Sequence, residues 1–182
     1  MFGICNLAII PLRLEPSDRS EIVSQVLFGE HFEVLEELKQ WRRIKLQYDG
    51  YEGWVDSKQF QVSTEAAYNT LSNEAIVLNA DLIDYISAPN NTLIPIPLGA
   101  SLSFLNHSDI NISHFEFEGA KTSGKQDKNK LINTAFLYLN APYLWGGKTP
   151  FGIDCSGFTQ MVYKLNGYHL FRDASQQATQ GE

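Results

Sequence analysis

One stretch of the sequence has the residue types and spacing for covalent chemistry. In "YLWGGKTPFGIDCSGFTQMVY", Tyr143 to Tyr163, Cys155 stands between Asp154 and Ser156, directly after a glycine-rich run. Thiolate, and not thiol, attacks a carbonyl carbon, so a catalytic cysteine needs a field that favours negative charge. A helix N-terminus provides one through its unpaired N–H groups and the positive end of its dipole. Phe158, Met161, Val162 and Leu165 recur at helical spacing and Gly167 ends the pattern, which predicts a helix beginning near Cys155. The turn-rich "GGKTPFGID" lets backbone amides come close to a developing oxyanion. Asp154 and Ser156 are short polar residues of the kind that cap helix starts, so structural and functional roles compete for both. Cys155 has a plainer reading too, as a small buried hydrophobe.

A cysteine nucleophile needs a general base, normally histidine, oriented by a third polar group. His169 is nearest in sequence, but it follows Gly167. At about 1.5 Å per helical residue that places it some 15 Å or more away, at the wrong end of the helix. His31, His107 and His114 fall in the barrel-like segments and read as surface or strand residues. None is a convincing base. Metal chemistry is not expected either. The chain has no Cys-x-x-Cys and no His-x-x-x-His, and its carboxylates are scattered. "GGKTPFG" fails the phosphate-loop pattern, and no cofactor is expected.

The elements that must hold this stretch can be read from patterning. Residues 1–62 read as short strands at roughly ten-residue spacing, the mark of a small β-barrel. A Gly-Glu turn lies between Phe28 and His31, "WRRIKL" alternates as a half-buried strand, and Asp49-Gly50 signals a hairpin. The apolar run Ile4 to Leu12 is too short to span a bilayer and reads as a strand. Thr64 to Thr70 is a polar connector. Residues 73–120 repeat the barrel style in "AIVLNADLIDYI", "LIPIPLGASLSFLN" and "NISHFEFEG", with Pro95 and Pro97 confined to edge or turn positions. "PLGASLSFL" parallels "LFGEHFEVL", so a second barrel is expected, although the Gly-Trp-Val closure is missing. "KTSGKQDKNK" is a polar linker. Beyond it, Leu131, Ile132, Ala135, Phe136 and Leu139 share one helical face that ends before Pro142.

Composition limits the partners. The 182 residues are 43% hydrophobic and 12% aromatic, enough for packed cores. The net charge of −7, with no Lys/Arg cluster to relieve it, disfavours nucleic acid and anionic membranes. Cys5 and Cys155 lie far apart. A disulfide between them stays open, but two thiols in a chain without a signal-like leader suit a reducing cytoplasm better.

Three blocks carry a resemblance. "LFGEHFEVLEEL", "WRRIKL" and "GYEGWVDSKQF" resemble a bacterial SH3-type domain. "YLWGG" and "DCSGFTQMVY" resemble the signature of the NlpC-type cell-wall peptidases, and "LFRDASQQ" resembles that family's later Pro-Arg-x-Ser-x-Gln segment, with Phe171 where proline is usual. The resemblance implies a multidomain chain: two small SH3-like β-barrels (1–62 and 73–120), then the N-terminal part of a papain-like α+β catalytic domain (121–182). It implies a cysteine endopeptidase that cleaves the bond after γ-linked D-glutamate in murein stem peptides. Cys155 would be the nucleophile and Tyr143 an oxyanion donor. In the subgroup with two SH3-type domains, the site takes peptides with a free N-terminal L-Ala, such as L-Ala-γ-D-Glu-diaminopimelate. Asp154, Ser156 and Ser175 match the positions that meet its ammonium.

A carboxylate with hydroxyls is a reasonable receptor for a protonated α-amino group. Glu21 and Tyr51 are candidates for a wall supplied by the first barrel. Glu21 reads equally as a solvated acid, and Tyr51 as barrel packing.

In this family the base histidine lies far downstream of the cysteine, on a sheet strand that the residues here do not reach. The expectation is therefore a shortened peptidase, inactive or nearly so, with apolar surface exposed on helix 131–139 or 158–165 unless a partner covers it. The competing reading is a binding module that holds murein peptide or glycan without cleaving it. Alkylation of Cys155 separates the two.

Overall fold

The computed structural model describes residues 1–107, 110 and 114–181. The first seven strands are β1 (Phe2–Ile4), β2 (Ile9–Arg13), β3 (Ile22–Leu27), β4 (His31–Leu38), β5 (Trp41–Leu46), β6 (Glu52–Asp56) and β7 (Gln61–Ser63). They form one antiparallel sheet in the order β3-β2-β6-β5-β4-β1-β7. It curls around Ile10, Leu12, Val26, Phe32, Ile44, Leu46 and Val55. The alternation read in "WRRIKL" holds: Trp41, Ile44 and Leu46 are buried, while Arg43 and Lys45 are exposed. Asp49-Gly50 makes the β5–β6 connection, with Gly50 at φ +69°.

The run Ile4 to Leu12 is two strands, not one. β1 pairs with β4 and β7, whereas β2 pairs with β3 and β6, so the chain must cross the barrel between them. The break at Cys5 to Ala8 is held by backbone bonds to the β3–β4 turn: Cys5 N donates to Glu30 O and Phe28 N donates to Ala8 O.

The expected polar connector is partly helical. Helix α1 (Glu65–Asn73) is capped by Thr64, whose Oγ1 accepts from the Ala67 amide at 3.1 Å. Ala67 and Leu71, four residues apart, bury one face of it.

The second unit contains β8 (Val77–Asn79), β9 (Ile83–Ser87), β10 (Leu93–Pro97), a 3-10 turn (Ser103–Asn106) and β11 (Lys121–Ser123). Among the described residues its strands form two separate ladders, β8–β11 and β9–β10, and not one continuous barrel sheet. β11 falls in the stretch read as a polar linker. Residues 111–113 of "NISHFEFEG" lie outside the described residues; within the remainder, Glu116 bridges Ser87. Pro95 and Pro97 sit on β10, an edge strand, where a missing N–H donor is tolerated. Among the described residues, the core of this unit is shared with its neighbours. Ile86, Ile96, Leu102, Phe104 and Phe117 pack in one cluster with Ile4 and Phe28 of the barrel and Leu71 of α1.

The C-terminal part comprises α2 (Lys130–Phe136), the hairpin β12 (Lys148–Thr149) and β13 (Gly152–Ile153), α3 (Cys155–Leu165) and the short α4 (Ala174–Gln177). Met161, Val162 and Leu165 of α3 bury against Leu27, Leu98, Tyr138 and Ile153. The surface expected on helix 158–165 is therefore covered, by residues of the barrel, the second unit and the α2 region together. On α2 the expectation holds, with Ile132, Phe136 and Leu139 at 65%, 64% and 66% exposure. The helix ends at Phe136, and the 137–141 segment continues in tight turns with Asn140 at φ +67°. Among the described residues, no helix is long and apolar enough to cross a membrane.

One titration is built into the barrel's inner end. His31 Nε2 lies 3.2 Å from Ser72 Oγ, and its ring stacks edge-on with Tyr68 of α1. Burial pushes its pKa down to about 4, against the pull of Glu30 and with the push of Lys164. The fold therefore holds His31 neutral while the unfolded chain protonates it near pH 6.5. The stability in question is intact above pH 6.5 and is lost as pH falls towards 4, by roughly 3 kcal/mol at most. Urea unfolding between pH 7 and 4 should show this slope, and His31→Gln should flatten it.

Candidate active site

Cys155 is the first residue of α3, and its side chain is exposed. The residue before it makes the cap. Asp154 Oδ1 accepts from the Gly157 amide at 2.6 Å, and Asp154 O accepts from Phe158 N. Of the first-turn amides, this leaves those of Cys155 and Ser156 at the positive end of the helix. The preceding loop lies tight against the barrel. At Gly146, φ is +78° and an added Cβ would meet Ile22 O at 2.3 Å, so no other residue fits this approach.

Cys155 opens into a cleft of about 360 Å³ that three stretches of chain build together. The barrel contributes Glu21, Val23 and Tyr51; the hairpin–helix region contributes Trp145, Asp154 and Ser156; the tail contributes Arg172, Asp173 and Ser175. Six of the seven residues singled out in the sequence therefore meet in one place. Tyr143 does not line this cleft. It is 68% exposed, with its backbone bridged to Ile153.

Within the cleft, roles differ from those expected. Asp154 is not a free receptor for an ammonium group. Arg172, 1% exposed, grips both its oxygens, at 3.0 and 2.7 Å, and also donates to Ser156 Oγ at 2.9 Å and to Ser24 Oγ at 3.0 Å. The Gly146 amide takes a further position on Oδ2. Burial works against the Asp154 charge, but the Arg172 hydrogen bonds and the Gly157 and Gly146 amides outweigh it and hold its pKa below the ordinary carboxylate range. Asp154 and Ser156 thus form the foundation of the helix start, with little hydrogen-bonding capacity left over.

The acids that remain for a ligand are Glu21 and Asp173. Glu21 Oε1 accepts from Trp145 Nε1, which holds it across the cleft from the barrel side. Asp173 Oδ1 accepts from Tyr51 Oη at 3.0 Å. Burial, and then the Asp173 charge, push the Tyr51 pKa up, so this hydroxyl stays protonated. Ser175 is exposed on the same tail.

Asp173, Arg172 and Trp145 stand inside the motif blocks, but little in the sequence marks their roles. Their signal was faint. Asp173 with Gln176 three residues on spells a capping box, which the structure contains, and that reading masks any second use.

Among the described residues, no histidine lines the cleft. His169 Nε2 meets Tyr48 O at 2.6 Å, beside the C-terminal end of α3, and His107 faces Glu74 at 3.5 Å. His31 is tied to Ser72. No cluster of metal-ligating side chains occurs among the described residues.

Residues 12–60 match the bacterial dipeptidyl-peptidase SH3 domain, and residues 140–182 match the NlpC/P60 family. The chain thus joins a bacterial SH3-type domain to a segment of the NlpC/P60 family. Two curated relatives align along most of it. It is 30% identical to the gamma-D-glutamyl-L-lysine dipeptidyl-peptidase of Bacillus subtilis over 88% of this chain and 59% of the relative. It is 25% identical to the protein of the same name from Bacillus cereus over 91% of this chain and 56% of the relative. The chain thus spans rather more than half the length of either. An NlpC/P60 family protein from Bacillus cereus has the same fold, with a TM-score of 0.81 at 19% identity, covering 100% of this chain and 77% of that one. The NlpC/P60 match begins at Asn140 and takes in the whole loop–helix–tail unit that carries Cys155, Arg172 and Asp173.

Proposed function

We propose that this chain carries the nucleophile and the amino-terminus receptor of a cysteine peptidase acting on murein stem peptides with a free N-terminal L-Ala, at the bond between γ-D-Glu and the diamino acid. One observation carries the reading. An exposed thiol at the start of an eleven-residue helix shares its cleft with two carboxylates, Glu21 and Asp173, and the Tyr51 hydroxyl bound to the second. An α-ammonium is a good match for that trio, and a dipeptide's length separates it from the carbonyl to be attacked.

In the proposed reaction, Cys155 Sγ adds to the γ-carbonyl carbon and the C–N bond to the diamino acid breaks. The departing amine takes the proton that the thiol gives up, and water then hydrolyses the thioester, releasing the acid and returning a proton to the sulfur. The Cys155 and Ser156 amides, at the start of α3, are the candidate donors to the negative charge that would develop. Tyr143 keeps the oxyanion role only if its exposed side chain turns inward when substrate binds. L-Lys or diaminopimelate both fit the third position. A cytoplasmic role in recycling of wall peptides is consistent with two free thiols, Cys5 buried and Cys155 exposed.

Because no histidine lines the cleft among the described residues, the 182-residue chain should bind L-Ala-γ-D-Glu yet hydrolyse L-Ala-γ-D-Glu-diaminopimelate at a rate barely above background. Robust turnover that disappears in Cys155→Ala would show that a base is supplied from elsewhere. The absent base is also what favours the second reading, a module that binds and does not cut. Iodoacetamide at neutral pH separates them: fast, selective modification of Cys155 supports a retained nucleophile, and a thiol no faster than free cysteine supports the module.

A further inference from the structure

The barrel meets the Cys155 segment through buried charges as well as apolar contacts. Glu30, in the β3–β4 turn, is 5% exposed. Its carboxylate accepts from the Leu27 amide at 2.8 Å, from Lys148 Nζ at 3.3 Å and from Lys164 Nζ. Lys148 is fully buried in β12, and Lys164 lies in the last turn of α3. Cys155 lies between them in sequence, so one barrel carboxylate grips the chain on both sides of the thiol. A second buried acid, Asp49, accepts from Gln160 Nε2 at 2.8 Å. Gln160 and Lys164 are one turn apart on the same face of α3. Gln160 also donates to Leu170 O at 3.1 Å, which ties in the tail that carries Arg172 and Asp173.

Buried ion pairs are weak sources of net stability, because desolvation offsets the attraction. Their best-attested use is to set register. Apolar side chains such as Met161 and Val162 would allow α3 to slide or rotate against the barrel at modest cost. A displaced Lys164 would instead leave a buried charge unpaired. The register matters here because Glu30, Glu21 and Tyr51 belong to the same barrel, while the thiol belongs to the segment that Glu30 holds.

We propose that Glu30 is a positioning residue: by clamping Lys148 and Lys164 it fixes the Cys155 segment against the barrel, and so fixes the span from the thiol to the Glu21–Tyr51 side of the cleft. The proposal deepens the functional reading above and rests on it for its consequence, but its test needs no substrate.

In a Glu21→Cys chain, the short bis-thiol reagent dibromobimane should join the introduced thiol to Cys155 within the molecule, because both line one cleft. Adding Glu30→Gln should slow this cross-linking by about tenfold or more, the effect expected of a small misplacement between groups that must meet. Buried Cys5 reports on folding in the same sample, since it stays unmodified while the barrel is intact. Lys164→Gln leaves the Glu30–Lys148 pair in place and should slow the reaction less; it decides the matter if the Glu30→Gln chain does not fold. An unchanged cross-linking rate in the folded variant overturns the proposal, even with a lowered unfolding midpoint. Slowed cross-linking in a chain with no affinity for L-Ala-γ-D-Glu would instead overturn the functional reading and leave the role of Glu30 standing.

Discussion

Replacing Arg172 with methionine should lower the unfolding free energy by about 3–5 kcal/mol, the range for removing one partner of a buried ion pair. The guanidinium is 1% exposed and its contacts are concentrated: both oxygens of Asp154, the Ser156 hydroxyl and the Ser24 hydroxyl. Without it, a carboxylate at 7% exposure keeps two amide donors and loses its counter-charge. Asp154 would then have to take up a proton or draw water into the helix start, and either response disturbs the residue next to Cys155. Arg172→Lys should recover little, since one ammonium cannot reproduce a fork that serves two oxygens and two hydroxyls. Urea unfolding at pH 7 checks both variants. A loss below about 1 kcal/mol for Arg172→Met, the level of an exposed pair, would show that the Asp154 site is wetter than its burial indicates.

The second large effect concerns ligand recognition. Glu21→Gln and Asp173→Asn should each weaken binding of L-Ala-γ-D-Glu by roughly 10- to 100-fold, from about 1.5–3 kcal/mol per charged hydrogen bond. Neither change removes a buried ion pair, so the unfolding midpoint should move little. N-acetylated dipeptide, which has no ammonium, should bind the parent chain weakly and be indifferent to both substitutions. Asp154→Asn provides the contrast. If Asp154 supports the helix and does not receive the ligand, its loss should appear mainly as lost stability. Titration calorimetry with the free and acetylated dipeptides separates these outcomes. Equal affinity for the two would overturn the ammonium receptor.

Much of the local structure was legible because local patterns respond to local physics. The alternation of Trp41 to Leu46 follows from a sheet with one wet face. The helical spacing of Phe158 to Leu165, with an Asp before it and Gly167 after it, led to a helix that begins at Cys155. Thr64 shows where local patterns compete. A capping threonine followed by Ala67 and Leu71 is a helix signal, but the polar residues around it read more readily as a connector. The second unit was less legible for another reason. Its strand-like segments echo the first barrel, yet Ile86, Ile96 and Phe104 are buried by sharing a core with Ile4 and Phe28 of the barrel and Leu71 of α1, and no periodicity announces a shared core.

The same division runs through the site. Residue type and position along the chain were enough to mark Cys155 and its helix start, because a nucleophile's local demands are written in adjacent residues. Ser175, Glu21 and Tyr51 came into view only through the family resemblance and the barrel wall it implies. Which carboxylate is free was decided only in three dimensions. Arg172, eighteen residues after Asp154 in the chain, folds back to neutralise it, while Asp173 turns towards Tyr51 from the barrel. Hydrogen bonds of that kind join residues from separate stretches, and a charge is available to a ligand only after every nearer partner has been served.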